Sequence, residues 1–437
     1  MRSREGIDCA ETATAQSEFP TPWTPILTGR LADRARSAVA AIADELPRHP
    51  PVQRAPGDRV NLASGAAGIA LFHAYAGDWD RAGELLERAL DEIVEMSLWP
   101  ALHTGWVGVA WAIAHLQGDA ASVSGVGVPD SNAHASQLAL EHVRRAPRAT
   151  SYDLINGLVG IAVYALAQAG CPDSELILEE IVTRLEERAT PAHAGLTIVS
   201  PPNQACPGGS YNAGVAHGIP GLLGVLGSVP GSRARHLRDG FAAWLRSIAI
   251  AGAGVSVLPY WIDLQRPDHR SSSRAAWCYG DPGAAVALLR GARAAGDPAL
   301  EDFALTLARA AAARALASSG VEDSGLCHGA AGLLHIFNRL YHATGEEVFR
   351  TAAVAWAEQT LALRGCGGIA GYRVQHEDGW LGDPGLLCGA AGVGLALLAG
   401  LGDVEPGWDA VLICDVPPRR PNEPRASSAP ALAPLHD

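Results

Sequence analysis

Two hydrophobic patterns alternate along the chain. The first is amphipathic, with apolar residues recurring at i, i+3, i+4 and i+7. It covers RLADRARSAVAAIADEL (30–46), ELLERALDEIVEM (84–96), ASQLALEHVRR (135–145), SELILEEIVTRLEERA (174–189), ARHLRDGFAAWLRSIA (234–249), ALEDFALTLARAAAARALA (299–317) and EEVFRTAAVAWAEQTLAL (346–363). That period predicts helices with one buried stripe. The second pattern is x-G-x-x-G followed by an unbroken apolar run: SGAAGIALF (64–72), TGWVGVAWAI (104–113), NGLVGIAVYAL (156–166), HGIPGLLGVL (217–226), YGDPGAAVALL (279–289), HGAAGLLHIF (328–337) and CGAAGVGLALL (388–398). Helices apolar on all sides are buried, and glycines three apart share a helical face on which neighbouring backbones can approach closely.

An amphipathic segment precedes each of the seven glycine-led runs, and the copies are spaced 40 to 62 residues apart. A repeat of that length is one supersecondary unit used many times. The prediction is an all-α ring of seven inner and seven outer helices. An open solenoid would need polar capping repeats at its ends, and the pattern contains none. In a ring every inner helix starts at the same end, so the residues just ahead of the glycine pairs converge. The ring is expected to be a single domain over residues 23–415. Residues 1–22 and the Pro/Ala-rich segment 416–437 read as unstructured, and 190–214 reads as a loop or small strand pair near the site mouth.

Composition narrows the function. The chain has 437 residues, 48% hydrophobic and 18% charged, as in a soluble globular protein. A net charge of −13 argues against a nucleic-acid partner, which requires a basic face. All 33 basic residues are arginine, which excludes a Schiff-base or Walker-A lysine. No basic, then apolar, then cleavable opening marks a signal peptide. A cytoplasmic, reducing location is therefore expected, and metal or catalytic roles outrank disulfides for the eight cysteines. The longest apolar run, 386–401, is glycine-rich and too short for a transmembrane segment.

The chemistry-bearing residues share a register. Cys278 and Cys327 lie two places before the first glycine of their pairs, and His328, His217, Tyr279, Asn156 and Cys388 lie one place before. Asp153 lies four before Gly157, and Arg274 six before Gly280. Two thiolates and an imidazole from adjacent helix starts suit tetrahedral zinc with one position open, and a helix N-terminus favours the thiolate. Taken singly, a cysteine is most often a small core residue and an Asp at a helix start is most often a cap. His217 and Tyr279 could serve packing, and Arg274 could be a surface residue. Repetition in one register favours metal binding for Cys278, Cys327 and His328. His103 and Cys388 share the register, but packing is the favoured reading for both.

The seven x-G-x-x-G helices together with SRAAWCYGDPG (273–283), CHGAAG (327–332), AHGIPG (216–221) and DLINGLVG (153–160) resemble the lanthipeptide cyclases, the LanC-like family, over most of residues 25–415. The resemblance implies an α/α toroid holding one zinc ion, with Cys278, Cys327 and His328 as ligands and His217, Asp153, Arg274 and Tyr279 as catalytic residues. It implies carbon–sulfur bond formation: peptide cysteines add to dehydroalanine or dehydrobutyrine in a dehydrated precursor peptide. A monomer is expected, with a dehydratase and an exporter as possible further partners and peripheral membrane attachment within such a complex. Many relatives carry an acidic residue where this chain has Cys388. One rival is a prenyltransferase-like zinc enzyme, which has six helix pairs and a Cys/Asp/His zinc set. Another is a non-enzymatic LanC-like protein binding glutathione or another thiol as a regulator or adaptor. A neighbouring gene for a dehydratase and a short Cys/Ser/Thr-rich precursor would separate this last reading from the cyclase.

Overall fold

The structure is a computed structural model that describes residues 22–419, apart from 52, 97, 125–131, 251–255 and 377–378. Residues 1–21 and 420–437, most of both segments read as unstructured, lie outside the described residues. Among those described, fourteen α-helices follow the two hydrophobic patterns: α1 (Gly29–Glu45), α2 (Ala66–Tyr75), α3 (Trp79–Glu95), α4 (Trp106–Ser124), α5 (Ala133–Arg145), α6 (Leu158–Ala167), α7 (Pro172–Glu186), α8 (Ile219–Leu226), α9 (Ser232–Ser247), α10 (Asp281–Ala295), α11 (Pro298–Ala313), α12 (Ala330–Thr344), α13 (Glu347–Ala362) and α14 (Ala390–Leu401). The even-numbered helices are the glycine-led runs. The odd-numbered ones are amphipathic, and α3 begins earlier than its apolar period suggests because the Asp78 side chain caps the Arg81 N–H.

Each even helix packs on the next, and α14 packs back on α2, which closes the ring. The odd helices lie outside it. The tight hairpins run from an inner helix to the outer helix that follows. Only Gly296 and Asp297 separate α10 from α11, with Gly296 in the left-handed region (φ 66°) as a C-cap. This differs from the pairing suggested by sequence order, in which an outer segment leads each inner one. The first outer helix, α1, instead packs on the last inner helix, α14. The N–H groups of Ile26 and Leu27 both donate to Gly400 O at 3.0 Å there, tying the two ends of the ring together.

The glycine pairs serve mainly their own turns. A Cβ on the second glycine would lie 1.8 to 2.5 Å from the carbonyl oxygen six residues earlier in all seven copies, from Leu102 O at Gly108 to Leu154 O at Gly160. The segment leading into each inner helix folds back over its first turn, and any side chain there would strike backbone. Close approach to the neighbouring repeat is a second effect: a Cβ on Gly160 would come within 2.7 Å of Leu102 Cβ. Gly332→Ala is therefore expected to force Leu326 away from a 2.0 Å contact. The cost should be about 1–3 kcal/mol of overpacking, seen as a lowered melting temperature, with weaker metal binding because Leu326 precedes Cys327.

These folded-back segments form a belt. Ala63 N–H donates to His103 O, His103 to Ile155, Leu154 to Ala216, Ala216 to Cys278, Cys278 to Cys327, Cys327 to Leu387, and Leu387 to Ala63, at 2.7 to 3.3 Å. Seven backbone hydrogen bonds thus run around one end of the ring. Directly below, the residues three before each first glycine (Leu62, Leu102, Leu154, Val215, Trp277, Leu326 and Leu386) are all buried, giving the rim an apolar floor.

The bore beneath the floor is filled by the chain's own C-terminal part. Trp408–Leu412 forms a 3-10 helix, and Trp408, Val411, Leu412 and Ile413 are buried. Trp277 Nε1 donates to Leu412 O at 2.8 Å, and His103 Nε2 lies 3.0 Å from Val411 O. Val416 is buried, Arg293 donates to Pro417 O, and Arg419 pairs with Glu301 at 2.7 Å. Residues 416–419, the start of the segment read as a tail, therefore pack on the helices. Their partners lie more than a hundred residues away in sequence, where composition gives no sign of them.

Three small sheets decorate the ring. In the insertion, β1 (Thr190–Ala192) pairs with β2 (Gly195–Thr197), while β3 (Val199–Ser200), β4 (Ser210–Asn212) and β5 (Trp261–Asp263) form an antiparallel sheet. The strand β4 runs directly into the segment before α8 and carries Asn212 to the rim.

Candidate functional site

The belt sets Cys278 and Cys327 on successive rungs, because Cys278 N–H donates to Cys327 O at 3.1 Å. His328 follows Cys327 immediately. One donor atom from each of the three lies within 4.8 Å of the others, with Cys278 buried and the other two half-buried. Tetrahedral zinc ligands, with bonds of about 2.0–2.3 Å, stand about 3.3–3.8 Å apart, so small side-chain adjustments suffice. Asp323 Oδ2 lies 3.2 Å from His328 Nε2, which leaves Nδ1 for a cation; carboxylate–histidine pairs of this kind orient metal ligands. The hydrogen bond from Cys327, helped by His328 and Arg274 against the effect of burial, holds the Cys278 thiol well below its usual range. Contacts with Cys278 and Cys388, together with burial, push Cys327 well above it. Two thiols share one proton here, and the charge of a divalent cation would let both ionise. The donor set fits a metal.

On the rung next to Cys278, where Ala216 N–H donates to Cys278 O, His217 Nδ1 lies 2.6 Å from Asp153 Oδ2. Asp153 Oδ1 accepts the Asn156 N–H at 2.7 Å, so the carboxylate caps its own turn with one oxygen and holds the imidazole with the other. Burial pulls the His217 pKa down, but the hydrogen bond and charge of Asp153 outweigh it, and the net shift is upward. Tyr279 stands beside this pair, its ring centroid 6.4 Å from that of His217. Burial raises the pKa of its hydroxyl, keeping it protonated. Arg274 forms no ion pair with Asp153 among the described residues, and its Nε is buried without a hydrogen-bond partner. Its charge is instead felt at Cys278. Thr104 Oγ1 and Asn156 Oδ1, at 2.5 Å, continue the rim.

The other residues in register fall on either side of this site. The Cys388 thiol lies against Cys327 but outside the three-donor group. His103 is fully buried, its pKa lowered to about 4 by burial, and it points its Nε2 at the plug. A groove of about 460 Å³ opens on the outer wall between the α1–α2 connection and α3, but no rim residue lines it.

Residues 56–413 match the family described as lanthionine synthetase C-like protein. The chain belongs to that family. No curated protein sequence matches it. Among solved structures, nisin cyclase superposes with a TM-score of 0.68 at 21% identity, covering 87% of this chain and 98% of that one, a likeness that establishes the α/α toroid. An inactive variant of an alpha-1,6-mannanase from Salegentibacter sp. HEL1_6 gives a TM-score of 0.43 at 10% identity, covering 88% of this chain and 100% of that one. No described helix of this LanC-like chain is long and apolar enough to cross a membrane.

Two rim residues of the LanC-like site escaped the sequence reading, Asn212 and Asp323. A signal for them existed. Both stand six places before the first glycine of a pair, as Arg274 does, and all three reach the rim. Neither lies in a motif of its own, so only the repeat register could have singled them out.

Proposed function

We propose that this protein is a zinc-dependent lanthipeptide cyclase, which joins a peptide cysteine to the β-carbon of a dehydroalanine or dehydrobutyrine in a dehydrated precursor peptide. The observation that carries this reading is the sharing of one rim by a Cys2His donor group and a His217–Asp153 pair 2.6 Å apart. A protein that only held a thiol would need the first and not the second.

Zinc held by Cys278, Cys327 and His328 would supply the positive charge that keeps a substrate thiol, with an ordinary pKa of about 8.5, ionised at neutral pH. The rest falls to the chain's own side chains. As the carbon–sulfur bond forms, the π electrons of the dehydro residue move onto its carbonyl oxygen. Arg274, which has no carboxylate partner among the described residues, and the protonated Tyr279 would stabilise that oxygen. His217 gives a proton to the α-carbon and recovers one from the next thiol, so nothing is oxidised or reduced. A dehydratase must supply the substrate, since the alkene carbon comes from a dehydrated serine or threonine.

A synthetic peptide carrying one cysteine and one dehydroalanine tests the reading. Cyclisation changes no mass, so leftover thiols are alkylated before mass spectrometry, and the zinc-loaded protein should leave none. Persistent free thiol with every such peptide refutes it. The pH profile provides a second check. Asp153 raises the His217 pKa, so the protonated acid persists to higher pH than it otherwise would. Asp153→Asn removes that support, and the decline of kcat with rising pH should move to lower pH. A decline that stays in place removes His217 from the proton step.

A further inference from the structure

We propose that Asn212 is a positioning residue, holding the Tyr279 hydroxyl as a hydrogen-bond donor into the site. This rests on the cyclase reading and deepens it. Asn212 ends β4, where it pairs with Trp261 of β5, and it is buried. Its Oδ1 accepts the Gly214 N–H at 2.9 Å. A backbone N–H can only donate, so the atom facing it must be the amide oxygen, which fixes the orientation of the amide. The Nδ2 group then faces Tyr279 and donates to its hydroxyl at 3.0 Å. The tyrosine oxygen is thereby occupied as an acceptor, and its own hydrogen must be used elsewhere. No second hydrogen-bond partner meets that hydroxyl among the described residues.

The ring itself has little freedom. Tyr260 and Trp261 stand 5.7 and 6.1 Å from it, centroid to centroid, and a Cβ on Gly214 would strike Tyr279 Cδ1 at 2.5 Å. The ring therefore stays in place, its centroid 6.4 Å from that of His217, with the hydrogen of its hydroxyl unspent. A preorganised donor of this kind acts on charge that develops on a carbonyl oxygen during addition. The arrangement divides the labour at the rim: His217 moves the proton to carbon, and Tyr279 donates to oxygen.

Asn212→Asp separates this role from a tether. It keeps the shape and the Gly214 contact but turns the donor facing Tyr279 into an acceptor, which draws the tyrosine hydrogen away from the substrate. With the cysteine–dehydroalanine peptide, Asn212→Asp should lower kcat by about 10²–10³-fold, the usual cost of one such donor. Tyr279→Phe should do the same, with KM, zinc content and melting temperature held. The two effects should overlap, so that the double variant is no slower than Tyr279→Phe alone. Asn212→Asp at the parent rate, or effects that multiply in the double variant, would overturn the proposal. If the aspartate disrupts folding, Asn212→Ala replaces it in the same cycle: a loss that vanishes in the Tyr279→Phe background supports the proposal, and a loss that persists overturns it. An inactive parent overturns the cyclase reading along with it. An active parent and a slow Tyr279→Phe beside a normal Asn212→Asp overturn this proposal alone.

Discussion

Cys278→Ala and Cys327→Ala are each expected to abolish stoichiometric zinc and, with it, ring formation. The two thiols stand on adjacent rungs of the belt, with donor atoms within 4.8 Å of each other and of His328. Removing either leaves two of the three proposed ligands, too few to hold zinc tightly. Without the cation a substrate thiol near pH 7 is only about 3% ionised and is no longer held beside the alkene, a loss of position that alone can exceed 10³-fold. Cyclisation should fall by about 10³-fold or more. His217→Asn is the contrast. His217 sits on the rung next to Cys278 but bonds Asp153, outside the donor group, so this variant should keep its zinc and slow by about 10²–10⁴-fold, as for the loss of one acid–base group. Zinc measured by atomic emission, together with alkylation-coupled mass spectrometry, reads both. A full zinc complement in either cysteine variant would refute the ligand set, and loss of zinc from His217→Asn would mean the ligands are misassigned.

Ending the chain at Gly407 should prevent folding altogether, whereas ending it at Arg419 should not. The shorter chain loses Trp408, Val411, Leu412 and Ile413, all buried in the bore. At about 2–4 kcal/mol for each large buried side chain, their loss matches the whole stability of an ordinary domain, about 5–15 kcal/mol. It also removes Asp409, which accepts from Arg339 at 2.9 Å and lies 2.8 Å from His335, leaving a buried guanidinium without that carboxylate. Arg339 keeps its contacts with Glu405 and Pro406 O, so the lost carboxylate adds the smaller cost of broken charged hydrogen bonds, about 1.5–3 kcal/mol. Trp277 sits on the floor one residue before Cys278, and its indole N–H is fixed by Leu412 O, so the zinc site should fail together with the fold. Soluble expression, circular dichroism and zinc content check this. A cooperative melt from the chain ending at Gly407 would show that the plug is dispensable.

Much of this architecture was legible in the residues alone, for a local reason. Helical periodicity and the x-G-x-x-G repeat are relations among near neighbours, and a repeated unit with one apolar helix and one amphipathic helix has few ways to bury both. The register placed Cys278, Cys327, His328, His217 and Tyr279 at one end of the ring, and the structure brings them together there. The same register holds Asn212 and Asp323, each six places before the first glycine of its pair. What only the tertiary structure decided are the relations across the ring. His217 meets Asp153 from 64 residues away, and Asn212 meets Tyr279 from 67. Arg274 stands apart from Asp153, the first outer helix closes on the last inner one, and the C-terminal segment fills the bore instead of trailing from it. Each of these depends on where separate turns of the chain stand once the belt of backbone hydrogen bonds has closed, and no local pattern encodes a distance across a ring.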